Sequence, residues 1–244
     1  MAACHHLTVT ADQFSAASAL RLRNHRVKPQ ELLRVSLQEL LLLGAYHLRS
    51  VEVRQHGGVS GEVAILERAD PVGPLSLPLP MVADTLNRMG DGPVPKVVAR
   101  LLANRGLMSA LLRVTADDLV ARGLASQRWP AWRRARLRLT AEGRSLSQQQ
   151  EATSTSGVPI VDRAIFLLAD KKEREQLLHS TEQDGIAVNG VTDPVSMSLL
   201  WRFNTCFDLG VAAHDGSAAG ADHADGWGGV DLGGGHSHGH SGTC

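Results

Sequence analysis

The residues of this chain best suited to chemistry lie between Gln127 and Leu137. Arg128, Trp129, Trp132, Arg133, Arg134 and Arg136 interleave arginines with two tryptophans. A guanidinium is a planar fork of donors that fits phosphate oxygens two at a time. An indole favours a boundary where one end is apolar and the other wet. Together these residue types point to a phosphate-bearing surface, either lipid headgroups or nucleic acid. The plainer alternative is that the tryptophans pack on their own domain and the arginines form a solvated face.

A second group is His236, His238 and His240, close to Cys244. Imidazole and thiolate are good ligands for borderline divalent metals. Alternating histidines on a glycine-rich chain offer no preformed geometry, so this is a weak site for an adventitious divalent metal.

Nothing points to catalysis. No Gly-x-Ser-x-Gly, His-Glu-x-x-His, Walker A or Gly-x-Gly-x-x-Gly pattern occurs. Asp117-Asp118 reads as a helix start, where carboxylates suit the dipole, and adjacent helical residues face different sides. Cys206 reads as a small buried residue. The odd count of three cysteines and their wide spacing argue against a disulfide framework. The expectation is a non-enzyme with no catalytic residue and no cofactor.

Net charge is zero with histidine neutral, so no global field steers the chain to a polyanion. The distribution is uneven: Val94 to Ser145 holds eleven Lys/Arg against three Asp/Glu, whereas Cys206 onward holds five Asp and no Lys or Arg. The N-terminal segment lacks a basic stretch followed by an apolar run, and no segment has about 18 consecutive apolar residues. The expectation is a cytoplasmic protein, peripheral on a membrane if lipid is its ligand.

The elements that would position these residues repeat. Leu32-Leu33-Arg34-Val35 recurs as Leu111-Leu112-Arg113-Val114, an offset of 79 residues, and in the same register Leu40 matches Leu119 and Gly44 matches Gly123. Each copy has apolar residues at helical spacing and then a glycine that can end the helix in a left-handed conformation. Alternating segments follow, Val51–Arg54 with Glu62–Glu67 and then Arg136–Thr140, which read as hairpins.

The predicted fold is mainly α with small β-hairpins: tandem winged-helix-like units, C-terminal helices and a disordered tail. The units span about 10–70 and 81–146, a linker 147–157, a helical segment 158–210 and a Gly/His-rich tail 211–244. Helices are predicted at Met81–Met89, Val94–Asn104, Ile160–Ser180 and Val195–Leu209.

The order of these motifs resembles the Golgi phosphoprotein 3 family of bacterial (actinobacterial) type, over about residues 30–145. Leu32–Ala45 is similar to that family's Leu-Ala-Glu-Leu-Ala-Leu-x-Gly helix. Val63–Gly73 is similar to its next strand and proline–glycine turn, and Leu119–Leu124 to its Leu-Val-x-Lys/Arg-Gly helix end. The resemblance implies a non-enzymatic peripheral membrane adaptor that binds phosphatidylinositol 4-phosphate through arginines and a tryptophan. It places the membrane-inserting hairpin where Trp129 and Trp132 fall. The alternative reading is a winged-helix DNA-binding transcriptional regulator using the same arginines.

Overall fold

The computed structural model describes residues 15–54, 60–69, 75–127, 137–152 and 194–218. Their order is α1 (Ala16–Arg23), α2 (Pro29–Leu42), β1 (Tyr46–Arg54), β2 (Ser60–Arg68), α3 (Leu79–Met89), β3 (Gly92–Pro93), α4 (Val94–Ala103), α5 (Arg105–Ala121), β4 (Ala125–Gln127), β5 (Leu137–Leu139), α6 (Ala141–Ala152) and α7 (Pro194–Ala218). The chain is therefore mainly helical with small antiparallel hairpins.

The repeat is visible atom by atom. Gly44 and Gly123 both have positive φ, 69° and 73°. In the first copy Gly44 N–H donates to Leu41 O and Ala45 N–H to Leu40 O, each at 3.0 Å. In the second, Gly123 N–H donates to Val120 O and Leu124 N–H to Leu119 O, each at 2.9 Å. This is the Schellman arrangement, which satisfies the orphan carbonyls of a helix end. Its apolar contact is present twice, since Leu40, Ala45, Leu119 and Leu124 are all buried. Ser36 Oγ donates to Leu32 O (2.8 Å) and its equivalent Thr115 Oγ1 to Leu111 O (2.7 Å), so both helices satisfy a buried hydroxyl on the preceding turn.

Each glycine releases the chain into a strand, at Tyr46 and at Ala125. β1 and β2 form a long antiparallel hairpin in which Leu48 faces Leu66 and Ser50 faces Ala64. Ala64 and Leu66 on one face of β2 are buried while Val63, Ile65 and Glu67 on the other are only partly buried, the period of a half-covered sheet. β3 joins the β2 edge, giving the order β1-β2-β3, while β4 and β5 form a separate two-stranded sheet.

Two hydrophobic clusters fill the interior. One joins α2, the first sheet, α3, α4, the start of α5 and α7, with Phe203 and Phe207 at its centre. The other joins α1, α2, α5, β4, β5 and Leu200 of α7. Helices α2 and α5 contribute to both, so the two copies are packed into each other.

Several boundaries differ from expectation. Asp117 and Asp118 lie in the last two turns of α5, not at a helix start, because the helix runs unbroken from its Asn104 cap. They do face different sides: Asp118 is buried and Asp117 exposed. Residues 147–152, expected in a linker, belong to α6, whose first turn is capped by Thr140 Oγ1 accepting from Gly143 N (3.1 Å). The last helix continues past Leu209 to Ala218. Glycine at 210 is needed there for packing, since a Cβ would sit 2.7 Å from Val98 Cβ on α4. Cys206 is buried as expected and is disulfide-bonded, against the reading of the cysteine spacing; its partner lies outside the described residues. All of Ile160–Ser180 and most of the tail also lie outside them.

Two predictions follow from these features. Gly44→Ala and Gly123→Ala should each lower unfolding free energy by about 1 kcal/mol in urea titrations, since a Cβ disfavours the left-handed conformation. At Gly123 nothing lies within 4 Å of an added Cβ, so conformation alone is measured there. The second concerns Tyr46, whose hydroxyl donates to Asn87 Oδ1 (2.7 Å) with Ala83 O at 3.1 Å. Burial raises its pKa; Arg68 opposes this, and Asp91 and Asp84 add to it. A folded pKa above the unfolded one gives stability present below pH 10 and lost as pH rises through the folded value. Alkaline unfolding should therefore be steeper for the wild type than for Tyr46→Phe.

Candidate polyanion-binding face

Helices α4 and α5 are joined by a single residue, Asn104, whose Oδ1 accepts from Leu107 N at 3.0 Å and starts α5. Each helix buries one apolar side, Val97, Val98 and Leu101 on α4 and Leu107, Leu111 and Leu119 on α5. That fixes what is left for solvent. α4 turns out Lys96 and Arg100, spaced four apart. α5 turns out Arg105, Ser109 and Arg113, also spaced by four. Residues at this spacing lie along one helix face. None of these four basic side chains is in an ion pair among the described residues.

Comparison with the first copy sharpens the point. The equivalent of Arg113 is Arg34, from the same Leu-Leu-Arg-Val tetrad. Arg34 is half-buried, paired with Asp208 and seated 4.7 Å from the Phe207 ring centroid. Both partners are on α7, which also reaches α2 through Gln38 Nε2 and Asn204 Oδ1 (2.7 Å). In the first copy the repeat arginine is thus already given a carboxylate and an aromatic face. In the second the same arginine is exposed without either. Arg113 is not among the expected site residues; the tetrad puts it in register with Arg34, and what separates the two is the contact of Arg34 with α7.

The segment expected to carry the site, Arg128, Trp129, Trp132, Arg133, Arg134 and Arg136, lies outside the described residues, as do His236, His238 and His240. The strands flanking the former are described. β4 and β5 pair antiparallel, Gln127 opposite Leu137, so the hairpin stem predicted there exists. No group of three His, Cys, Asp or Glu is placed to hold a metal among the described residues. No helix among them is long and apolar enough to cross a membrane.

A crevice near the first sheet is lined by Tyr46, Arg68, Asn87 and Asp91. Its polar groups are engaged: Asp91 Oδ1 accepts from Arg68 N (3.2 Å) and Tyr46 donates to Asn87. No nucleophile is held there by a base.

No family model, curated protein or solved structure matches the chain. The likeness to the Golgi phosphoprotein 3 family rests on the quoted motifs alone.

The two repeat arginines should behave differently on substitution. Arg34→Ala removes a partly exposed ion pair and a cation–π contact, and should cost about 1 kcal/mol. Arg113→Ala should change stability by less than about 0.5 kcal/mol, as for an unengaged surface residue. Chemical denaturation of both variants measures the contrast.

Proposed function

We propose that this protein is a non-enzymatic adaptor that docks on a phosphate-bearing surface through its second repeat, and that the surface is an anionic membrane. The observation that carries this reading is Arg113: exposed and without an ion pair among the described residues, where its repeat equivalent holds a carboxylate. Lys96, Arg100 and Arg105 add three more such cations on the same helix pair. Arg128, Arg133, Arg134 and Arg136 would extend the charge, with Trp129 and Trp132 at the lipid boundary. The family resemblance supports phosphatidylinositol 4-phosphate as the headgroup. Peripheral attachment accords with a chain that shows no spanning helix among its described residues.

A second reading, duplex DNA, is favoured by one feature. The order α3, β3, α4, α5, β4, β5 is compatible with a winged helix, in which α5 would take the place of the groove-reading helix. In that reading Arg105, Ser109 and Arg113 meet base edges and phosphates. The pairing of β3 with β2, not with β5, departs from a single closed winged-helix unit.

Co-sedimentation with vesicles containing phosphatidylinositol 4-phosphate, beside a duplex-DNA shift assay at matched salt, tests the proposal. Vesicle binding should weaken about fivefold for each of Arg105→Ala and Arg113→Ala, and more in Trp129→Ala with Trp132→Ala. Arg34→Ala should leave it unchanged. Binding indifferent to Arg113, or to the tryptophan pair, contradicts the membrane reading. A DNA shift that depends steeply on salt, with no vesicle binding, establishes the second.

A further inference from the structure

Helix α1 is buried almost all round, Ala16 to Leu22, yet carries polar residues at every third position: Ser15, Ser18 and Arg21. The first two are satisfied. Ser15 Oγ accepts from Ser18 N (3.1 Å) and donates to Ser18 Oγ (3.2 Å), which donates to Asp118 Oδ2 at 2.6 Å. The carboxylates along this seam are engaged: Asp118 also holds Arg122 Nε at 2.8 Å, and Glu39 Oε2 accepts from Ala16 N at 2.9 Å.

Arg21 ends the seam differently. It is 5% exposed, and its Nε and Nη1 are buried with no hydrogen-bond partner. Burial lowers its pKa, and no carboxylate among the described residues opposes the shift. An unpaired guanidinium inside a protein is strongly disfavoured unless an anion neutralises it. The preceding turn of α1 holds Ala17 and Ser18, both small and fully buried. With the seam's own carboxylates engaged, no counter-charge for Arg21 is present among the described residues.

We propose that Arg21 is the anchor of an internal binding site for one small oxyanion, a phosphate group, at the C-terminal end of this seam. The ligand is inorganic phosphate or the terminal phosphate of a small monoester; the chemistry recognised is the same. The site is separate from the α4–α5 face and does not depend on the membrane or DNA reading.

The test is thermal unfolding of the full chain with rising inorganic phosphate, with sodium chloride at matched ionic strength as reference. Glycerol 3-phosphate forms a second arm to distinguish free phosphate from a monoester. The wild type should gain about 5 °C or more at roughly a hundredfold excess over Kd. Arg21→Met, of similar length and apolar, should fold and show no gain; Arg21→Lys, with the charge but no fork, should show a reduced one. Arg105→Ala with Arg113→Ala should gain as the wild type does. No gain in the wild type overturns the proposal, and so does an equal gain in Arg21→Met, which would mean an adventitious surface ion only. Should Arg21→Met fail to fold, equilibrium dialysis of wild type with radiolabelled phosphate decides. One phosphate per chain, retained in Arg105→Ala with Arg113→Ala, supports the site; none overturns it.

Discussion

Two carboxylates, one from each copy of the repeat, hold a single helix. Glu39 and Asp118 are equivalent positions, and both reach the first turn of α1, at Ala16 N and Ser18 Oγ. An N-terminal turn has free N–H groups and a positive end of the dipole, so it suits negative charge. Here two copies of the same helix supply it from two sides. Removing either hydrogen bond leaves a buried carboxylate short of a donor and is expected to cost about 1–3 kcal/mol, a sizeable share of the net stability of many domains. Everything else in the second cluster, from Leu22 to Leu119, packs around that clamp.

From the clamp follows the division of labour between the copies. Sharing α1 and two cores, α2 and α5 cannot act as free-standing units. The first copy turns its outer side to α7, where Phe203 and Phe207 fill the core and Asp208 meets Arg34. Nothing among the described residues pairs with the corresponding side of the second copy. An arginine inherited from the same tetrad is a structural contact in one copy and an open cation in the other.

Much of this was legible in the sequence, for definite reasons. Gly44 and Gly123 were readable because only a left-handed residue can follow those apolar turns and release the chain into a strand. The first hairpin was readable because Val51–Arg54 and Glu62–Glu67 alternate with period two. Other features depend on contacts distant in sequence. The pairing of Arg34 with Asp208 spans most of the chain, so no local pattern distinguishes Arg34 from Arg113. The polar seam of α1 is not marked by any local motif, and its meaning appears only when Glu39 and Asp118 arrive from elsewhere. Residues 147–152 read as a linker because their polarity hid a helix whose start is fixed by Thr140. The extension of α7 to Ala218 was obscured by Gly210 and Gly216, since glycine lowers helix propensity, yet Gly210 lets α7 approach α4 closely.

The central claim is that the two repeat arginines differ in occupancy. Arginine Nε–Hε resonances, recorded by NMR during titration with inorganic polyphosphate, report on it directly. Arg113 should shift with added polyphosphate while Arg34 stays in place, held by Asp208 and Phe207. A shift of Arg34, or an Arg113 resonance that does not move, would contradict the account.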